Sequence, residues 1–314
     1  MKLPPDLHRF RLGVFTNSPD DARSLSRLFG PFNIMRREDR RLEIVLPRYH
    51  DDNDRLAMDW SWFTGLDAMY FLDPRSETEA KLIRLAKECG CRVWVDYIDD
   101  VLNVRPSNPS FMHTVLNPTD IRTLEFILDA ADFVTCTTNT IKERLPLPAK
   151  ALVLPEACRW PPCHLPRERR ITWRGLSSHA EDLESVLPQL REISRLPQFS
   201  KWEWVFLGEP LWKIHETIPK ENLSLVSFRT PYQFMNVWGQ FAPYLHIAPI
   251  VDNKFNRAKT PLVWLEATAI GAAVIGPDLP EWRGCQGLLR YTDPDDFGRV
   301  LRREMETYQH NAPH

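Results

Sequence analysis

The sequence predicts an α/β protein of two parallel-sheet domains, and three observations carry that prediction. Short apolar, often β-branched runs alternate with helix-period patterns along most of the 314 residues, the order expected of parallel strands covered by helices. That length suits two ordinary domains. A proline-rich stretch from Pro155 to Pro166 separates two such series, and prolines of this density favour extended backbone between domains.

In the first series the predicted strands are Arg11–Phe15, Leu42–Leu46, Ala68–Phe71, Arg92–Val95, Phe133–Thr135 and Ala151–Leu154. Helix signals lie between them. Ser18-Pro19 reads as an N-cap with proline at the first helical position. Ser76-Glu77-Thr78-Glu79 is a capping box, and Gly90 can close the helix it opens. From Thr119 to Ala130 the apolar residues Ile121, Leu124, Ile127 and Leu128 keep a helical period. After the prolines the strands are Ile171–Trp173, Trp204–Leu207, Leu223–Phe228, Leu245–Ile250, Ala273–Ile275 and Leu288–Tyr291, and a polar helix over Asp295–Tyr308 ends the chain. The expected domains are residues 1–160 and 161–294, with 295–314 a C-terminal helix.

Composition excludes several classes. Net charge is −2, which argues against a whole-surface grip on nucleic acid and leaves only local basic patches. No apolar run approaches the ~20 residues of a membrane span, and the N-terminus lacks an apolar core of signal-peptide length; a cytoplasmic protein is expected. Cys89 and Cys91, and then Cys158 and Cys163, are the closest pairs of the six cysteines, and neither spacing fits a zinc knuckle. The 27 prolines suit many loops and helix starts, and the 11 tryptophans suit large buried contacts or ring stacking.

The most informative segment runs from Ile247 to Gly271. A buried strand ends at Pro249-Ile250, a polar loop follows, and a helix is expected to start near Thr260-Pro261. Ligands of open parallel sheets sit beyond the carboxyl ends of the strands, where such loops lie. A helix start offers unpaired N–H groups and a positive dipole end, and Lys259 adds a full charge; together they suit phosphate. If Lys259 and Glu266 are both helical they share a face about 10 Å apart along the axis, a span that fits a diphosphate at the helix start and a ribose diol at Glu266. Spacing alone also fits an ordinary capped surface helix with two solvated charges.

Phe255, Asn256, Lys259, Thr260 and Glu266 match in order and spacing the donor-binding signature of retaining glycosyltransferases of the GT-B fold, the family-four type, in a branch frequent in phages and bacteria. Ile171-Thr172-Trp173-Arg174-Gly175-Leu176-Ser177-Ser178-His179, with Asp182 after it, resembles the opening of that family's donor domain. Ala131 to Thr138 resembles the last strand region of its first domain, and Val153-Leu154-Pro155 the strand leading into its hinge. The matches span roughly Asp96 to Gly276. The resemblance implies two facing Rossmann-like domains, the helix of 295–314 packing back across the first, with a nucleoside-diphosphate sugar between them as co-substrate, and no metal or other cofactor. Several positions depart from the pattern. Ala258 stands where many members carry a Glu, Val263 where the branch often has a second Lys, and Glu156 where relatives often show Asn. The glycine-rich first loop is reduced to Gly13, followed by Asn17 and Ser18.

The resemblance assigns Glu266 to the ribose, and Lys259, Thr260, the helix start and Arg174 to the diphosphate. Gly13, Gly175, Ser177, His179, Asn256 and Arg257 complete the expected donor side. Asp96-Tyr97-Ile98-Asp99-Asp100 follows an apolar strand, and such carboxylates could orient an acceptor hydroxyl, act as base or hold a cation; Asp99 and Asp100 are the catalytic candidates. His113 lies in a loop, Asn103–Thr119, long enough to bind a ligand. The run Arg36-Arg37-Glu38-Asp39-Arg40-Arg41, with Arg48, is either a solvated face or a contact to nucleic-acid phosphates. Trp60 and Trp62, beside Phe63, are either core or a stacking platform. The expected activity is glycosyl transfer to an acceptor hydroxyl, retaining by resemblance. The acceptor stays open between a glycan, a small molecule and a hydroxymethylated base in DNA. A nucleotide-sugar epimerase and an inactive nucleotide-sugar binding module are the rival readings.

Overall fold

Two six-stranded sheets, all of whose paired strands run parallel, organise the chain. The computed structural model describes residues 9–16, 24–47, 49–52, 55–58, 60–106, 108, 120–157, 165–210, 212–227 and 231–311. Asn17, the Ser18-Pro19 cap, Arg48, His113, Cys158, Cys163 and most of the Asn103–Thr119 loop lie outside these residues, as does the side chain of Trp60.

One compact unit comprises Met1–Asn103 with His113–Glu156, and the other Val104–Met112 with Ala157–His314. The main division falls inside the proline-rich stretch, four residues before the expected boundary. The assignment of 104–112 to the second unit was not legible from composition.

The first unit runs β1 (Phe10–Phe15), α1 (Gly30–Glu38), β2 (Leu42–Val45), β3 (Tyr49–Asp52), β4 (Arg55–Met58), β5 (Ala68–Leu72), α2 (Glu77–Glu88), β6 (Arg92–Tyr97), α3 (Ile121–Ala130), β7 (Phe133–Cys136), α4 (Asn139–Arg144) and β8 (Ala151–Val153). Its sheet order is β2-β1-β5-β6-β7-β8. β5 is buried throughout, as expected for a strand covered on both faces. The capping box is present: the Ser76 hydroxyl accepts from the Glu79 N–H, and Glu79 Oε2 accepts from the Ser76 N–H at 2.8 Å. Gly90 follows the helix with φ +80°, the left-handed turn that glycine supplies without strain. β3 and β4 form an antiparallel pair that the sequence reading missed. The acidic run Asp51-Asp52-Asn53-Asp54 reads as loop by composition.

The second unit runs β9 (Glu168–Gly175), α5 (Ala180–Glu184), α6 (Leu187–Ser194), β10 (Glu203–Gly208), α7 (Ile214–Thr217), β11 (Leu223–Val226), α8 (Pro231–Gln240), β12 (Pro243–Ile247), α9 (Leu262–Ala269), β13 (Ala273–Pro277), β14 (Leu289–Tyr291) and α10 (Pro294–Asn311). The order β11-β10-β9-β12-β13-β14 builds outward from β9 in one direction and then, from β12, in the other. The topological switch point therefore lies between the carboxyl ends of β9 and β12, where open parallel sheets bind ligands.

Apolar side chains fill both faces of this sheet. Trp173, Trp202, Trp204 and Phe206 belong to one core, and Trp238, Trp282, Val205 and Leu207 to the other. Trp62 and Phe63 are buried in the first unit, so core packing accounts for much of the tryptophan excess. Phe297, Val300, Leu301 and Met305 of α10 enter the second unit's core, and α10 packs on α6 and β14. Its apolar stripe is used there.

Candidate functional site

Period-two alternation along β9 sends Ile171 and Trp173 into one core and Thr172 and Arg174 to the opposite face. Thr172 is buried there, accepting from Trp238 Nε1 at 3.1 Å and bonded to His246 Nδ1 at 3.0 Å. Two residues on, the Arg174 guanidinium donates to the Glu266 carboxylate of α9. The side chains of this pair retain 19% and 14% of their exposure, so it is largely screened from water. Burial pushes the Glu266 carboxyl above its ordinary range, and Arg174 acts in the opposite direction. Arg174, expected at the diphosphate, meets Glu266 through Nη2, and its buried Nε has no hydrogen-bond partner among the described residues.

Gly175 ends the strand because nothing larger fits. A Cβ there would stand 2.6 Å from Trp173 Cζ2 and 3.3 Å from His179 Cβ. The chain turns through Ser177–His179 and enters α5. Ser177 is exposed, and its N–H donates to Glu209 of the β10 loop at 3.3 Å.

Asp182 of α5, only 3% exposed, ties this turn to the loop after β12. Its Oδ1 accepts from the Val251 N–H and from Asn256 Nδ2, both at 2.9 Å. Its Oδ2 lies 3.1 Å from His179 Nδ1 and 3.7 Å from Lys259 Nζ. Burial opposes ionisation, but His179, Lys259 and the Val251 N–H together hold the Asp182 carboxyl below its ordinary value. His179 is lowered as well: burial and Lys259 depress its imidazole despite Asp182. A neutral ring donating from Nδ1 to Asp182 leaves the Nε2 lone pair as an acceptor.

The loop after β12 is built from its own polar side chains. The Asn256 N–H donates to Asn253 Oδ1 at 3.0 Å, and Asn256 Nδ2 also reaches the Val251 carbonyl at 2.9 Å. Phe255 is buried beneath, with Lys259 Nζ 5.4 Å from its ring centre. Lys259 itself is extended, at φ −68° and ψ 136°, and α9 begins only at Leu262. Lys259 and Glu266 therefore do not share one helix face, and the 10 Å estimate built on that geometry fails. The cause is local: Thr260 precedes Pro261, and a residue before proline is driven out of the helical region. Arg257, expected near phosphate, is exposed and forks onto Asp252 at 2.6 and 2.9 Å. Thr260 is half-buried ahead of the helix.

Two contributors escaped sequence reading. Arg105 and Asn108 come from the 104–112 segment, and Arg105 pairs with Glu181 of α5. They line a small cavity, about 10 Å³, with Glu181, Asp182, Asn256 and Lys259. No periodicity in the sequence points to them. Asp182 did carry a signal, its position three residues after His179, which places both on one side of a helical turn.

Gly13 is not a loop glycine. It sits inside β1, and a Cβ there would meet Leu66 Cδ1 and Met69 Sδ at 2.5 Å. It makes room for packing. Of the acidic run after β6, Asp96 is buried and accepts from Arg27 Nε at 2.5 Å, Tyr70 Oη at 2.6 Å and Thr135 Oγ1 at 2.5 Å. Asp100 is also buried and accepts from Arg144 at 2.6 Å and from Asn103. Both serve the first unit's own packing, which leaves Asp99, half-buried on the loop, as the accessible member of the three. Among the described residues no cluster of three or more His, Cys, Asp or Glu could hold a metal ion, and no helix is long and apolar enough to cross a membrane.

No protein family and no curated protein matches the sequence. Solved structures do resemble the fold. The lipopolysaccharide outer core galactosyltransferase WaaB in its apo form is similar over 95% of this chain and 90% of its own, with TM-score 0.52 and 13% identity. HepE of Anabaena in complex with UDP is similar over 95% and 90%, with TM-score 0.58 and 10% identity. The E. coli trehalose-6-phosphate structure bound with UDP-2-fluoro glucose is similar over 94% and 91%, with TM-score 0.59 and 9% identity. At these identities the likeness concerns the fold, and the fold is that of GT-B glycosyltransferases, with two Rossmann-like domains.

Proposed function

We propose that the protein is a glycosyltransferase that moves a sugar from a nucleoside-diphosphate sugar to an acceptor hydroxyl, with retention at the anomeric carbon. One observation carries the reading. At the switch point between β9 and β12, Asp182 gathers His179, Asn256 and Lys259 just ahead of the α9 start, and Glu266 follows on that helix. Lys259 and the first N–H groups of α9 hold the diphosphate, and Glu266 accepts from the ribose hydroxyls. His179 is within the same constellation, and its neutral Nε2 can accept a donor hydroxyl. As the glycosidic bond breaks, charge grows on the leaving phosphate, and the fixed cation and helix end stabilise it. In this reading no metal is needed, and Asp99 is the first unit's nominee for the acceptor hydroxyl. The UDP and UDP-sugar complexes among the similar folds support a nucleotide sugar as donor.

The test is a panel of nucleoside diphosphates and their sugars, read by thermal shift and followed by mass spectrometry of acceptors incubated with the best donor. Glycans, small alcohols and hydroxymethylated duplex DNA form the acceptor arms, with and without chelator. Binding of one nucleotide sugar, weakened by Lys259→Gln and by Glu266→Gln, and a mass gain of one sugar on one acceptor are expected. No binding by any nucleotide sugar sinks the reading. The product's anomeric configuration, read by NMR, decides retention.

A further inference from the structure

The 104–112 segment belongs to the second unit, where it brings Arg105 against Glu181 beside Lys259. The cavity they enclose is about 10 Å³, roughly the space of one water, so no phosphate enters unless a side chain moves. The two carboxylates at this place differ sharply in freedom. Asp182 is 3% exposed and fixed by the Val251 N–H, Asn256 and His179. Glu181 keeps 40% of its side-chain exposure, and its ion-pair partner Arg105 keeps 22%. A pair open to water on the Glu181 side is cheaper to break than a buried one, and a guanidinium fork donates to phosphate oxygens in the geometry it offers a carboxylate.

We propose that Arg105 is a second cation of the diphosphate site beside Lys259, and that Glu181 stands on it in place of a phosphate until donor binds. The proposal rests on the nucleotide-sugar reading and deepens it: a segment from the middle of the first sheet's sequence completes the phosphate pocket. Diphosphate then displaces Glu181, which swings to solvent, while Asp182 keeps its partners.

Inorganic pyrophosphate, a diphosphate with neither base nor sugar, is the probe. It is titrated calorimetrically into the full chain at fixed ionic strength, with melting temperatures measured for every variant. Arg105→Gln should weaken binding about ten-fold, the worth of one charge-assisted contact. Glu181→Gln should tighten it by about three-fold, since a competing anion of a weak pair is removed. Arg105→Lys should fall between wild type and Arg105→Gln. Opposite signs for the two partners are the signature, because a merely structural Arg105–Glu181 latch would weaken binding from either side. Wild-type affinity in Arg105→Gln, or weakening in Glu181→Gln, overturns the proposal. If Lys259→Gln loses pyrophosphate while Arg105→Gln does not, this inference falls and the nucleotide-sugar reading stands. If the wild type binds neither pyrophosphate nor any nucleoside diphosphate, both fall.

Discussion

Glu266 is held between two opposing influences, burial favouring its acid form and the Arg174 guanidinium favouring the carboxylate. In the proposed site a ribose diol needs the carboxylate as acceptor, so nucleotide affinity should fall as pH drops through the raised Glu266 value, above the ordinary 4.5. Arg174→Gln removes the opposing charge and moves that acid limb to still higher pH, whereas Arg174→Lys restores part of it. Affinity measured against pH for the three proteins checks this, and an unmoved limb refutes it. Asp182 works in the other direction. Its carboxyl is held below the ordinary 3.8, so the stability it supplies is present above that value and is lost as pH falls through the lowered one. Asp182→Ala should cost about 3 kcal/mol at neutral pH, the usual result of breaking a buried charged network. Urea unfolding of wild type and variant should show the gap narrowing in acid; a gap that stays constant with pH assigns it to packing alone. Residue types were legible here from their order in the sequence. Their partners were not, because Arg174 and Glu266, or Asp182 and Val251, meet only once the sheet has formed.

At the scale of elements, legibility follows how local the signal is. α2 is specified within its own sequence by the Ser76–Glu79 box and by Gly90. Ser76→Ala should therefore destabilise the protein by about 1 kcal/mol, the usual worth of an N-cap, measurable as a lower urea midpoint with an unchanged slope. No change would mean that tertiary contacts alone set this helix start. α9 is the contrasting case. It has no side-chain cap, and the proline that marks its beginning also forces Lys259 and Thr260 out of the helix. The sequence places the helix start near Thr260-Pro261, and the span from Lys259 to Glu266 held only on the condition that both were helical. The β3–β4 pair eluded the sequence for a further reason. Its strands include Asp51 and Asp52 and lack the apolar alternation that marks a strand in sequence.

For the whole molecule, strand runs and the proline stretch sufficed to place two parallel sheets, since buried parallel strands read as continuous apolar segments. The crossing of 104–112 into the second unit did not show, because a polar loop carries no mark of the surface it packs on. This organisation makes a prediction that can be read along the entire chain. A nucleoside diphosphate bound at the β9–β12 switch point lowers local opening only in the elements that grip it. Amide hydrogen exchange should therefore slow in the Leu176–Asp182 turn, in the loop from Ala248 to Pro261 and in the first turn of α9. At saturation the α2 amides, capped within their own sequence and far from this site in the chain, serve as the internal control and should keep their rates. Slowing confined to the first unit would place the nucleotide elsewhere and remove the Lys259–Glu266 pocket from consideration. Slowing that also includes the Arg105 amide would add Arg105 to the groups that grip the ligand.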